Sequence, residues 1–329
     1  MSKIITSKIR LGSESAQLIL ESAIEQKIEV EIISERFNLI KLINKDNFLF
    51  VKGTSLSVNS QPACAIANNK FLTKKVLRKN KILIPKGWLV RTKSEAIKLI
   101  TEKKMYPCVL KAARGAHGRK VYANINSFEE FKELLPHVFT HPNFNDVLVE
   151  EYIEGKDYRL LVVGDKVSAA MERIPAHVIG DGESSIGQLI QKFNKNPLVG
   201  KKYEKPMCKI VMNGEVARNM KKMKREFSDV PKKMEKIFLR QNANISTGGI
   251  GRDATDEVCQ FVKDLAIEAT KAIGMVISGV DIIYNEKTKK AYVLELNDTP
   301  GIDIHHFPVF GQARPVARDI VSFLKKELV

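Results

Sequence analysis

Three oxygen-bearing side chains near the C-terminal end carry the strongest chemical signal in the chain. The segment SGVDIIYNEKTKKAYVLELND reads as a β-hairpin, with strands Val280–Tyr284 and Ala291–Leu296 about the polar turn Asn285–Lys290. Side chains at i and i+2 of a strand share a face, so Glu295 and Asn297 project together. Folding the hairpin brings Asp281 within about one residue of Glu295 across the ladder. A convergent set of oxygen donors suits a hard cation such as Mg²⁺, often shared with substrate phosphates. The same three residues also read as solvated strand ends.

A second signal is VLKAARGAHGRKVY, where a lysine ends an apolar strand and a glycine-bearing basic loop leads into the next. Small residues let backbone N–H groups approach phosphate oxygens, and Lys111, Arg114, Arg119 and Lys120 supply charge. The chain contains neither G-x-x-x-x-G-K-[ST] nor G-x-G-x-x-G, so this is not a Walker or dinucleotide loop, and by itself it also reads as a hairpin turn. Third is VLVEEYIEGKDYRLLVV. Glu150 and Asp157 can accept hydrogen bonds from an exocyclic amine and from ribose hydroxyls, with Tyr152 and Ile153 against an adenine ring. A strand followed by an exposed turn fits as well.

These residues need a mixed scaffold to bring them together, and the hydrophobic pattern provides one. SESAQLILESAIEQK has helical periodicity, IEVEII alternates as a strand, and NFLFVKG is a further short strand. A helix is expected from near Asn68, in ANNKFLTKKVLRKN, and another over SEAIKLITEKK with Ser94 as its cap. YPCVLKAA and GRKVYANI read as strands, SFEEFKELLPHVF as a helix, and RLLVVGDKVSAAMERI as a hairpin turning at Gly164-Asp165. Helices and strands alternate without an internal repeat, which gives an α+β or α/β chain.

Composition narrows the classes. The 329 residues suit about two domains, and 44% hydrophobic content excludes a disordered chain. No apolar run reaches the ~18 residues of a membrane span, and the N-terminus lacks the pattern of a secretory signal. Cys64, Cys108, Cys208 and Cys259 form no C-x-x-C pair, so they read as small buried hydrophobes in a reducing cytoplasm rather than a zinc site. The formal charge is +16, and residues 192–240 alone hold fifteen Lys/Arg against five Asp/Glu. A local field of that size invites an anionic partner.

The order of the segments raises the chemical reading above any one of them. NNKFLTKKVL, VLKAARGAHGRKV, EEYIEGKDYRLLVVGDKV, ERIPAHVIGDGESSIGQLI, NANISTGGIGRDATDEV and VLELNDTPG follow one another along the chain. In this it resembles the ATP-grasp superfamily of carboxylate–amine ligases over about residues 66–329, and most of all the ATP-grasp portions of cyanophycin synthetase and bifunctional glutathione synthetase. The resemblance implies an α+β ATP-grasp fold, two α+β subdomains gripping ATP. It places a reduced pre-ATP-grasp domain at 1–65 and the ATP-grasp domain at 66–329, with a lid near 104–156 and a basic insertion near 186–240. It also implies roles. Lys70 and Lys111 match the phosphate lysines, and Arg114 through Lys120, with His117 and Gly118, match the flap over the phosphates. Glu150, Tyr152 and Ile153 match the adenine hinge, and Asp157 the ribose contact. Asp281, Glu295 and Asn297 match the ligands of two Mg²⁺ ions, with Mn²⁺ as a substitute. Arg159 and Arg173 lie where basic residues meet phosphate or the activated carboxylate, and Asn244, Ser246, Thr247, Gly248 and Gly249 match the turn of the acceptor pocket. The implied reaction passes through an acyl phosphate to an amide on an amino-acid or peptide substrate. Ala112 replaces the proline that often follows the phosphate lysine, and neither partner half of the resembling two-part enzymes is found in this chain, so a single ligation is expected.

Two further expectations follow. His305 and His306, read as adjacent residues of an extended segment, point apart and do not act as a pair. The basic segment is expected either to recruit an acidic acceptor or to be a solvated helical face such as MKKMKREF. The alternative to a ligase is a non-catalytic, nucleotide-responsive protein that grips a polyanion or nucleic acid through this segment. Its few aromatics and the lack of a helix-turn-helix or zinc signature make nucleic acid the weaker reading. Association into a homo-oligomer is common in the resembling families.

Overall fold

The computed structural model describes residues 10–114, 120–140, 146–200 and 205–329. In chain order the elements are α1 (Glu14–Glu25), β1 (Glu29–Ser34), β2 (Leu39–Asn44), β3 (Asn47–Lys52), β4 (Ser55–Leu56), α2 (Gln61–Ala67), α3 (Lys70–Lys79), β5 (Gly87–Val90), α4 (Lys93–Lys103), β6 (Cys108–Ala112), β7 (Val121–Ile125), α5 (Phe128–Val138) and β8 (Val147–Glu151). Then come β9 (Lys156–Val163), β10 (Lys166–Ile174), β11 (His177–Ile179), α6 (Ile186–Asn194), β12 (Val199–Gly200), β13 (Met207–Cys208), α7 (Gly214–Lys222), β14 (Lys236–Phe238), β15 (Ile250–Asp253), α8 (Gln260–Ile273), β16 (Ile277–Asn285), β17 (Lys290–Asn297), α9 (Asp303–His306) and α10 (Val316–Glu327). The chain divides into two compact units.

The first unit comprises residues 1–84, 158–171 and 253–329. It is built on a five-stranded sheet of order β15-β10-β9-β16-β17. Both faces of this sheet are covered. On β9, Leu161 and Val163 enter one core with α1, α10 and the inner residues of the β1-β2-β3-β4 meander, while Leu160 and Val162 enter a second with α3 and α8. That double burial explains the unbroken apolar run LLVV. Ser13 starts α1 by accepting the Ala16 N–H at 3.2 Å, and Asn69 starts α3 by accepting from Phe71 and Leu72.

The second unit comprises residues 85–157 and 172–252. Its antiparallel sheet, β5-β8-β6-β7, packs one face on α4 and α5 through Val90, Leu110, Phe131 and Val149. A separate small core gathers α6, α7, β11 and β14 around much of the basic segment, including Ile186, Ile190, Val216 and Ile237.

Several local expectations change. Thr92, not Ser94, caps α4, because its hydroxyl accepts the Glu95 N–H at 3.1 Å. Strand β2 and helix α2 went unread: FNLIKLIN lies between two turns, and QPACAIA is too short for a clear helical period. The MKKMKREF stretch is helical only to Lys222, since Lys224 takes a left-handed φ of 53°. Cys108 and Cys208 are buried, but Cys64 is partly exposed and Cys259 exposed. Among the described residues, no helix is long and apolar enough to cross a membrane.

Candidate active site

In the second unit the chemistry sits on the sheet face away from α4 and α5. Glu150 lies in register with Val109, so Lys111, two residues along β6, is its diagonal neighbour on the same face. The Lys111 ammonium and the Glu150 carboxylate meet at 2.9 Å, with both side chains over nine-tenths buried. On the other flank Gly87 of β5 lies opposite Glu150. A Cβ at Gly87 would fall 2.6 Å from Glu150 Cγ, so only glycine leaves room for this buried acid. Asp157 accepts from Arg173 through Nε at 2.9 Å and Nη2 at 2.6 Å, a fork-shaped contact that fixes the guanidinium plane. Tyr152 and Ile153 are half-buried, and the Tyr152 N–H donates to Pro107 O at 3.1 Å. Burial, with a contribution from Glu154, raises the Tyr152 phenol above its usual range. Arg114 is exposed. His117 and Gly118 lie outside the described residues.

The turn Asn244–Gly249 is also in this unit. Asn244 Oδ1 accepts from the Ser246 N–H at 3.3 Å and from the Ser246 hydroxyl at 3.0 Å, and Thr247 Oγ1 donates to Asn244 O at 2.9 Å. A short 3₁₀ turn, Ile245–Thr247, ends at Gly248 with φ 97°.

In the first unit Asp281 and Glu295 are register partners across β16 and β17, with Asn297 opposite Gly279. Arg159 forks onto Asp281 through Nε and, at 3.0 Å, through Nη2. Its side chain crosses Gly279, where a Cβ would lie 3.2 Å from Arg159 Cδ. Lys70, the first residue of α3, reaches Glu295 at 3.0 Å. Asn297 Nδ2 donates to Gly279 O at 3.2 Å.

Of the residues singled out from the sequence, four cations and four carboxylates are thus one another's partners: Lys70–Glu295, Lys111–Glu150, Arg159–Asp281 and Arg173–Asp157. Each pair closes within one unit. The donor set Asp281, Glu295 and Asn297 suits a hard cation, and a guanidinium and an ammonium already stand where its two carboxylates draw positive charge. No group of three or more His, Cys, Asp or Glu with metal-binding geometry occurs among the described residues, so a metal here would rest on two carboxylates and an amide.

His305 and His306 fall in the short helix α9 rather than an extended segment. Burial, followed by the nearby positive charge of Arg159, pushes the His305 imidazole down to about 3. His306 Nε2 accepts the Ala317 N–H at 3.1 Å and so caps α10, whose own N-cap, Pro315, offers no side-chain acceptor. Sequence reading also missed a lock between β15 and the segment after β17. There Arg314 donates to Asp253 at 2.8 Å and to Asp256 at 2.6 Å, and Gly311 lies so close to Asp253 that a Cβ would meet it at 2.8 Å. ARP near the C-terminus carried no local signal for a partner some sixty residues away.

A five-stranded sheet covered on both faces, together with a smaller antiparallel sheet, is the α+β architecture of the ATP-grasp superfamily. The RimK-like ATP-grasp domain profile matches residues 67–179 and 181–307, and the chain belongs to that family. It is 35% identical over 318 residues to the glutathione biosynthesis bifunctional protein GshAB of Clostridium perfringens, covering 94% of this chain and 41% of that protein. It is 32% identical over 315 residues to the cyanophycin synthetase of Geminocystis herdmanii, covering 94% of this chain and 36% of that protein. The chain therefore spans about two fifths of the length of these relatives. Among solved structures, a bifunctional glutathione synthetase from Pasteurella multocida superposes with a TM-score of 0.68 at 30% identity, over 95% of this chain and 44% of that one. A D-alanine–D-alanine ligase from Bacillus anthracis shares the fold at a TM-score of 0.50 and 17% identity, over 82% of this chain and 71% of that one.

Proposed function

We propose that this chain is an ATP-dependent carboxylate–amine ligase acting on an amino acid or peptide. A substrate carboxylate attacks the γ-phosphoryl group of ATP, giving an acyl phosphate and ADP. An amine then displaces phosphate and forms the amide. The observation that carries this reading is the reciprocal pairing of the four cations with the four carboxylates. A triphosphate offers Lys70 and Lys111 the negative charge that Glu295 and Glu150 supply without ligand. Asp281, Glu295 and Asn297 are the residues that would hold Mg²⁺, which when bound neutralises phosphate charge. Glu150, Tyr152 and Ile153 form the adenine hinge, and Asp157 accepts from ribose hydroxyls. Arg159 and Arg173 steady the transferred phosphoryl group or the activated carboxylate. Phosphoryl transfer asks mainly for positioning and charge neutralisation, which this set provides without a nucleophilic side chain.

The names of the relatives, a glutathione biosynthesis protein and a cyanophycin synthetase, support amino-acid or peptide substrates. Exposed lysines of the basic segment, including Lys195, Lys221 and Lys224, support an acidic acceptor. Arg225 and Arg240 meet Glu235 and Glu215, while Arg218 and Lys222 share Glu130, so these four add to that field less than their formal charge.

The test is ADP and phosphate release over a panel of amino acids and dipeptides, with products identified by mass spectrometry. Asp281→Asn and Glu295→Gln are expected to abolish Mg²⁺-dependent turnover while leaving the far-UV spectrum intact. Unchanged activity in both variants removes the metal assignment. Salt-sensitive nucleic-acid binding without ATP turnover would favour the polyanion-binding alternative instead.

A further inference from the structure

The turn Asn244–Gly249 is held from outside as well as from within, and the support beneath Gly248 comes from the basic insertion. Gly248 rests on Ile210: a Cβ there would lie 2.6 Å from Ile210 Cγ1 and 3.1 Å from Ile210 Cα. Ile210 is itself pinned at both of its backbone groups by one side chain. Asn194 Oδ1 accepts the Ile210 N–H at 2.8 Å, and Asn194 Nδ2 donates to Ile210 O at 2.9 Å. Asn194 is the last residue of α6, whose register is set at its other end by a capping box between Ser185 and Gln188. The chain entering the turn is fixed from α7. Buried Arg240 donates to Glu215 and, at 3.0 Å, to Asn213 Oδ1, while Asn242 Nδ2 donates to the second Glu215 oxygen at 2.8 Å.

Charge is therefore not the insertion's only contribution. We propose that the insertion is the mould of the turn Asn244–Gly249 and that Asn194 is a positioning residue for the amine acceptor. Asn194 acts through Ile210, against which Gly248 must seat for the Asn244 and Ser246 side chains to keep their orientation. The functional half of this rests on the ligase reading and on the acceptor role of the turn. The structural half rests on neither. A side-chain amide that satisfies both backbone groups of one buried loop residue, Ile210, is a strong local constraint, because its loss leaves two polar groups unpaired.

Two measurements on the full chain decide it, in Asn194→Ala and in the milder Asn194→Asp, which keeps an acceptor for the Ile210 N–H. Amide hydrogen exchange at Thr247, Gly248 and Gly249 is expected to quicken by about tenfold or more in Asn194→Ala, with a smaller change in Asn194→Asp. Unchanged exchange overturns the mould whatever the enzyme does. In steady-state assays, the KM for the amine found in the amino-acid and dipeptide panel is expected to rise about tenfold or more, with the KM for ATP within about twofold. Hydroxamate formed with hydroxylamine, a small amine that needs no shaped pocket, is expected to hold. Equal rises in both KM values, or an equal loss of hydroxamate, overturn the assignment to the acceptor. A wild-type protein that releases no ADP with any substrate refutes the ligase reading alone, and the exchange result still stands.

Discussion

Glu150→Gln offers the most direct test of the charge pairing. The Lys111 ammonium lies 2.9 Å from Glu150, and both side chains are shielded from solvent. At an effective dielectric constant near 20, a unit-charge pair at that separation attracts by about 6 kcal/mol before desolvation is subtracted. Glutamine keeps an oxygen for Lys111 but removes the charge, so the ligand-free protein is expected to lose about 3 kcal/mol, the lower end for breaking a buried pair. For a unit of this size that is a fall in melting temperature of about 6–12 °C. Lys111→Met/Glu150→Gln, which removes both charges, should recover part of the loss, with a coupling energy of about 2 kcal/mol. Inorganic tripolyphosphate should raise the melting temperature of Glu150→Gln more than that of wild type, because it returns the missing negative charge to Lys111, and should lose this excess in the double variant. A Glu150→Gln protein that melts within about 2 °C of wild type, or single losses that simply add in the double variant, would refute the reasoning.

Gly87→Ala places a methyl 2.6 Å from Glu150 Cγ and is expected to cost about 1–3 kcal/mol; the emission of neighbouring Trp88, the single tryptophan, reports the displaced strand. Burial pushes the Asp253 carboxyl up, but hydrogen bonds from Arg314 and Thr255 outweigh it and hold the group below the ordinary carboxylate range. The stability this gives is present above the usual carboxylate pKa and is lost as pH falls through the depressed value, so Arg314→Met should move the acid-unfolding midpoint to higher pH; coincident midpoints would contradict the lock. The imidazoles of His305 and His306 are both pushed down, chiefly by burial. The unfolded chain takes up their protons near pH 6.5, so unfolding free energy should fall by about 1.4 kcal/mol per pH unit below that for each imidazole that stays neutral. Denaturant titrations of His305→Gln between neutral pH and pH 5 should show a correspondingly shallower slope.

The hairpin that carries Asp281, Glu295 and Asn297 was legible because strand alternation and a polar turn are local signals, and the observed register sets Asp281 directly opposite Glu295. The ATP-grasp family and its α+β fold were legible from the order of six segments. Other features were not, because they depend on distant partners. The need for glycine at position 87 comes from Glu150 in another strand, and the role of Asn194 comes from a loop sixteen residues on. The two histidines looked like neighbours in an extended segment, since four residues are too few to show a helical period. The basic segment read as one charged surface because the sequence does not reveal which arginines are neutralised by folding.

The four reciprocal pairs also bear on how the protein responds to its ionic surroundings. At these positions the opposite charges pair within each unit, so under the proposed function a magnesium–nucleotide complex would enter by exchanging partners rather than by filling an open positive field. Little of the counterion atmosphere is displaced by such an exchange, and affinity gained this way varies only gently with salt. The chain's large excess of positive charge lies mostly elsewhere, concentrated in residues 192–240. Under the proposed function, ionic strength would therefore tune what approaches that surface more steeply than it tunes the grip on nucleotide, which gives one molecule a salt-sensitive face beside a less sensitive interior.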